Sequence, residues 1–119
     1  MAKRTVLFYK KLNGDCPLEK FLDSLPSKAA QKVVWVLKLA QDLEHIPAKY
    51  FTKLSTIEDI WEFRIKFGSN IYRVFAFQDG KSLVLTHGFI KKTQKTPYPE
   101  IERAQKYRDD HFKEKGGAR

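Results

Sequence analysis

At 119 residues the chain can build one hydrophobic core and is too short for two. Its 42% apolar and 13% aromatic content makes it globular rather than disordered. Lys and Arg number 23 against 14 Asp and Glu, a net charge of +9 with a pI near 9.7, which points to an anionic partner: nucleic acid, an acidic protein or a membrane surface.

The elements follow in chain order. A basic start leads into β-branched and aromatic residues over 5–10, a first strand. The apolar run ends at Tyr9 and lysines follow it, which argues against a signal peptide. After the turn "LNGD", residues 17–24 read as a short helix. Asp15 is placed to cap it, Pro17 suits its first turn, and Leu18, Phe21, Leu22 and Leu25 form one apolar stripe. Cys16, the single cysteine, forms no internal disulfide and suits a reducing cytoplasm; beside a proline and with no histidine close in sequence, it reads as a small side chain before a helix rather than a nucleophile.

A second helix is expected over 27–45. Ala30, Val33, Val34, Leu37, Ala40 and Leu43 would form its inner face, and Lys28, Lys32, Lys38 and Asp42 lie outward. Its apolar run Val33-Val34-Trp35-Val36-Leu37 is the longest in the chain and far too short to span a bilayer. Pro47 limits its extent.

From there the period changes to two. Residues 52–54 suggest an edge strand. Over 60–67, Trp61, Phe63, Ile65 and Phe67 alternate with Glu62, Arg64 and Lys66. "GSN" and "QDGK" are hairpin turns, so strands at 60–67, 70–78 and 82–90 form an antiparallel meander. A last amphipathic helix runs from Pro97 or Pro99 to about His111, with Ile101, Ala104 and Tyr107 or Arg108 on one side. The fold class is α+β: a small twisted antiparallel sheet, two N-terminal helices on one face, and a C-terminal helix covering at most part of the other. Residues 1–112 are expected to be a single domain and 113–119 a disordered tail.

Charge concentrates in one third of the chain. Between Ile60 and Tyr98, Arg64, Lys66, Arg73, Lys81, Lys91, Lys92 and Lys95 face only Glu62 and Asp79. If the helices cover Trp61 and Phe63, then Arg64 and Lys66 line the open face, flanked by the lysines of "HGFIKKTQKTPYPEIE". That is either a solvated surface or a groove for phosphate. Arg73 shares a register with Ile71, Phe75 and Phe77, where an arginine pairs with a carboxylate at the core edge or snorkels past aromatics. His87, near the end of its strand, reads as a structural residue or a base. Trp61, Phe63, Phe75, Phe77 and Phe89 have the alternation of core residues, which leaves Tyr98 as the better stacking partner for a base.

His45, His87 and His111 are scattered and offer no metal-ligand spacing, and no glycine-rich phosphate loop or nucleophile elbow is present. No metal and no cofactor is expected. An enzyme with this composition has Arg, Lys, Tyr and His to work with. Such a set suits RNA cleavage by the substrate's own 2′-OH, in which cationic side chains neutralise the pentavalent phosphorus and a Lys or Tyr moves protons.

Three blocks, "IWEFRI", "YRVFAF" and above all "HGFIKKTQKTPYPEIERA", make the chain resemble the RelE/HigB superfamily of type II toxin–antitoxin toxins, in particular its phage-derived HigB-like subgroup. The resemblance covers roughly residues 4–112. It implies a cytoplasmic mRNA endonuclease acting in the ribosomal A site, and a cognate antitoxin, a helix-turn-helix protein encoded next to it. By the same resemblance Arg64 contacts the scissile phosphate. Lys53 takes part in proton transfer or phosphate contact, and Arg73 is a second arginine with a catalytic or structural role. Lys91, Lys92 and Lys95 form the basic segment after the last strand, Tyr98 matches a C-terminal tyrosine, and His87 stands where a base could act. Lys66, Lys92 and Lys95 are the expected RNA-binding residues. Two alternatives are a gyrase-inhibiting toxin of the ParE branch and a non-catalytic RNA-binding phage protein.

Overall fold

The computed structural model describes residues 4–54, 59–91 and 97–117. In chain order these form β1 (Thr5–Phe8), α1 (Pro17–Asp23), α2 (Ser27–Asp42), β2 (Phe51–Lys53), β3 (Trp61–Phe67), β4 (Asn70–Asp79), β5 (Ser82–Lys91) and α3 (Tyr98–Gly117). The meander is present, and β2 is the expected edge strand, antiparallel to β3. Gly68 and Gly80 adopt positive φ (61° each), as the two hairpin turns require. The sheet order is β1-β5-β4-β3-β2. β1 joins as a fifth strand parallel to β5, pairing Thr5 with Ser82 and Phe8 with Leu85, so the sheet is mixed rather than wholly antiparallel. No helix among the described residues is long and apolar enough to cross a membrane.

α1 packs on β5, and α2 packs on β3 and β1. Together they cover the face that carries Phe63, Ile65, Tyr72, Val74, Leu83 and Leu85. Gly88 permits the close approach of α1: a Cβ there would lie 2.2 Å from Cδ2 of Phe21. Phe63 is buried, as expected. Trp61, at the sheet end, is half-buried and stacks on Phe51, with ring centroids 4.9 Å apart.

Three local expectations need correction. Asp15 does not cap α1: Cys16 is the N-cap residue and makes no side-chain cap bond, while the Asp15 carboxylate faces Asn13 and Lys20. α2 ends at Asp42 rather than residue 45, because Leu43 turns to extended backbone (ψ 134°). The guanidinium of Arg4 donates to the carbonyls of Ala40, Leu43 and Glu44, satisfying helix-end acceptors that have no partner within the helix. The inner face of α2 is Ala29, Val33, Val36, Leu37 and Ala40. Val34 and Leu43 point outward, and Ala30 is only half-buried. Residues 33–37 are apolar on every side of the helix, so periodicity alone does not choose a face; packing on the sheet does.

α3 covers one end of the opposite face. Ile101, Ala104 and Tyr107 join Tyr9, Ile60, Phe75, Phe77, Val84 and Phe89 in a second apolar cluster. The helix continues past His111, and its last turns are tied to the β4–β5 hairpin. Asp79 accepts from His111 Nε2 (2.9 Å) and from Lys115 Nζ (2.8 and 2.9 Å). No described residue covers the end of this face nearest Arg64 and Lys66, and both side chains are exposed.

Candidate functional site

Strand register decides which charged residues meet. Glu62, Arg64 and Lys66 alternate with the core residues of β3 and so point to the open face. β4 sets Arg73 directly across from Arg64 and Phe75 across from Glu62. β5 then places Lys91 opposite Ile71 and Phe89 opposite Arg73. Like charges facing each other across an antiparallel pair repel. The counterion is Glu62: its Oε1 accepts from Arg73 Nη1, and both side chains are buried. The carboxylate at the core edge expected for Arg73 is therefore Glu62, within the same hairpin. Burial pushes the Arg73 guanidinium below its ordinary value, Glu62 opposes that, and Arg64 adds to it. Arg73 Nε is buried without a hydrogen-bond partner among the described residues.

Lys91 completes the cluster. Half-buried at the end of β5, its ammonium is held below the usual lysine range, first by burial and then by Arg73; Glu62 opposes this and Arg64 reinforces it. Arg64, Arg73 and Lys91 thus share one electrostatic environment, with Glu62 already engaged by Arg73. Arg64 is the exposed member.

A cleft of about 400 Å³ extends this surface around the free part of β3, beyond the short β2. Its walls are Lys32, Lys49, Tyr50, Arg64, Lys66 and Ile71, with four cations and no acid among the described residues. The amide of Arg64 donates to the carbonyl of Tyr50 (2.8 Å), which fixes the 49–50 segment beside it. Lys49 Nζ lies 4.9 Å from the Tyr50 ring centroid, and Lys32 Nζ donates to the carbonyl of Lys66. Sequence reasoning assigned no role here to Lys49, Tyr50 or Glu62 and left Lys32 as a solvated outer residue. The legible signal was that Glu62 shares a face of β3 with Arg64, though not that it pairs with Arg73; Lys49 and Tyr50 lie in a loop, where no periodicity predicts direction.

The remaining candidates are placed elsewhere. Lys53 is exposed but pairs with Trp61, so it projects to the face opposite Arg64. It lines a separate cavity of about 450 Å³ with Trp61, Phe51 and His45. Tyr98 is 62% exposed at the first turn of α3. Lys92 and Lys95, and the Thr96 of the Thr-Pro pair, lie outside the described residues.

His87 is in the core under α3. It is 1% exposed and ringed by Phe75, Phe89 and Tyr107; its Nδ1 lies 3.2 Å from Thr86 Oγ1 and its Nε2 3.2 Å from Glu100 Oε1. Burial, aided by Arg103, pushes its pKa from 6.5 down to about 3, so the imidazole is neutral. A depressed value means that the unfolded chain takes up the proton first. The contribution of His87 to stability is whole above about pH 6.5 and is lost as pH falls toward 3, by up to about 1.4 kcal/mol per pH unit. Comparing thermal unfolding of wild type and His87→Gln at pH 7 and pH 5 isolates this from the carboxylates, since Asp79 is held low by Lys115 and His111 and titrates below that window. The wild type is expected to lose the more stability between the two pH values; equal losses would contradict a buried neutral imidazole.

The family model described as Phage derived protein Gp49-like (DUF891) matches residues 20–109. That span holds α2, the whole of the sheet except β1, the strand residues of the Arg64 cleft and the first half of α3. No protein among the curated sequences matches the chain.

Proposed function

Given that the chain belongs to the phage-derived Gp49-like family, a toxin–antitoxin toxin family related to RelE-like toxins, we propose that it is a toxin that cuts mRNA on the ribosome, in the manner of the HigB-like branch. The observation that carries this reading is the exposed Arg64 set across from the buried Arg73–Glu62 pair and beside Lys91, whose ammonium is destabilised. This is a preorganised cationic surface at an open sheet face.

In the reaction, the 2′-oxygen attacks the adjacent phosphorus, forming the O2′–P bond as P–O5′ breaks. Arg64 neutralises the charge that grows on the equatorial oxygens. Lys91, made more acidic by its surroundings, gives a proton to the departing O5′, and the 2′-OH proton passes to water. Arg73 positions Arg64 through their shared hairpin. Lys66, with Lys49 and Lys32, holds the flanking backbone; Lys92 and Lys95 extend the basic segment, and Tyr98 is the candidate for stacking on a base. His87 is withdrawn from this role by its burial, and Lys53 by its position on the other face.

Family membership implies an antitoxin partner. We assign it an acidic segment laid over the Arg64 surface, which relieves growth arrest on co-expression. The test of the function is primer extension on translating ribosomes with analysis of the product ends. A 2′,3′-cyclic phosphate and a 5′-OH are expected. A 5′-phosphate at the cut would overturn the mechanism, and intact mRNA would overturn the nuclease reading in favour of a binding protein or a gyrase inhibitor.

A further inference from the structure

A second basic cleft, of about 440 Å³, lies between α3 and the segment that follows β1. Its floor is a pair of stacked tyrosines, Tyr9 and Tyr107, with ring centroids 4.7 Å apart and planes inclined by 23°. Two cations share the Tyr107 ring: Lys11 Nζ lies 5.8 Å from its centroid and the Arg103 guanidinium 5.6 Å. Arg103 Nε also donates to the Tyr107 hydroxyl (3.0 Å), so the guanidinium is held in place rather than free to turn. Lys106, on the next turn of α3, adds a third cation to the lining.

One acid, Asp110, stands in the lining beside the three cations, and two acids near the cleft have partners. Asp110 accepts from the Tyr9 hydroxyl, and Glu100 faces Arg103 at 3.7 Å and His87 at 3.2 Å. Each cation–π contact is weak on its own at an exposed site. Two cations gathered on one ring also repel each other. An anion seated between them relieves that repulsion and meets donors that the tyrosines have already oriented. Leu12, 81% exposed at the rim, offers an apolar contact for the part of a ligand beyond its charge.

We propose that this cleft binds a phosphate group of a nucleic-acid backbone, as a site separate from Arg64. β1 and β3 are separated by β5 and β4, which puts the two sites about 14 Å apart or more, too far for one phosphate to bridge. The claim needs no chemistry at Arg64. A polynucleotide is favoured over an acidic protein because three cations and one acid line a compact cleft beside stacked aromatic rings, which suits a backbone phosphate with an adjoining base or sugar better than a run of carboxylates.

The test uses a fluorescent single-stranded deoxyoligonucleotide, which has no 2′-OH and is not cut, and follows anisotropy as a function of salt. Lys11→Ala/Lys106→Ala is expected to weaken binding about 10-fold near 0.1 M salt and to reduce the slope of log K against log salt by about 1.4, the value for two lost phosphate contacts on a single strand. Lys11→Arg/Lys106→Arg should restore both, which separates lost charge from lost folding. Unchanged affinity and slope in the alanine variant would overturn the proposal. A second arm titrates inorganic phosphate alone against the amide resonances of Arg103 and Tyr107. Phosphate shifts without any response to the oligonucleotide would assign the cleft to the free ion, and selective binding of polyglutamate would assign it to an acidic protein; either outcome overturns the nucleic-acid reading. Arg64→Ala measured in parallel reports separately on the proposed active site.

Discussion

Arg64→Ala is expected to slow mRNA cleavage on translating ribosomes by about 10²-fold or more. Removing one preorganised donor from a site of developing negative charge costs about 2.7–4 kcal/mol of transition-state stabilisation. Arg64 fits that role by its placement. It is the exposed arginine of the pair, and the nearest strand carboxylate, Glu62, is already bonded to Arg73. The pentavalent phosphorus carries more charge than the bound phosphodiester, so rate should fall more than affinity. Lys66→Ala should behave in the opposite way, lowering affinity and salt dependence with a small effect on the rate at saturation, because Lys49 and Lys32 line the same cleft. Single-turnover primer extension with both variants separates the two patterns. Cleavage by Arg64→Ala at the wild-type rate would remove the proposed active site.

Glu62→Ala is expected to destabilise the fold by about 3–5 kcal/mol, the usual cost of stripping one partner from a buried ion pair. Arg73 is 4% exposed and has one buried nitrogen already without a partner among the described residues, so the guanidinium would be left charged in a poorly solvated position. Glu62→Leu/Arg73→Met should recover much of the loss, since replacing both partners leaves no orphaned charge. Urea unfolding of the two variants and the wild type gives the comparison. A loss below about 1 kcal/mol in Glu62→Ala would show that water reaches the pair. The single variant also removes an acid that raises the Lys91 pKa, so any activity it retains should shift toward lower pH.

The meander was legible because alternation over "WEFRIKF" and two glycine turns leave one register that buries Phe63 and Ile65. The same alternation put Arg64 and Lys66 on the open face. It could not identify the partner of Arg73, because a pair across a hairpin depends on which residues fall opposite each other, and that is set by the turn. Lys53 shows the limit most clearly. One residue of register in a three-residue strand decides which face it joins, and its short pattern does not settle that. The inner face of α2 was misread by about one position for the reason already seen at Val34: an all-round apolar run has no preferred side until it meets the sheet. Nothing in the sequence pattern brought Lys11 to Arg103, since they come from the two ends of the chain and meet only through the packing of Tyr9 on Tyr107.

The parallel pairing of β1 with β5 has a bearing on how the molecule is made. The chain's first strand finds its partner only in residues 82–85, and the ladder closes with Tyr9 N–H on the Leu85 carbonyl (2.9 Å). Between them lie both N-terminal helices and the first two strands of the meander, so this pairing closes a far longer loop than either hairpin turn. Loop closure of that span costs more entropy than the hairpin turns do and follows them in time. During synthesis the first strand waits without a partner until β5 has left the ribosome, and α3, which packs over Tyr9, comes later still. The complete fold, and any activity that depends on it, is reached only after α3 has been synthesised and has packed over Tyr9.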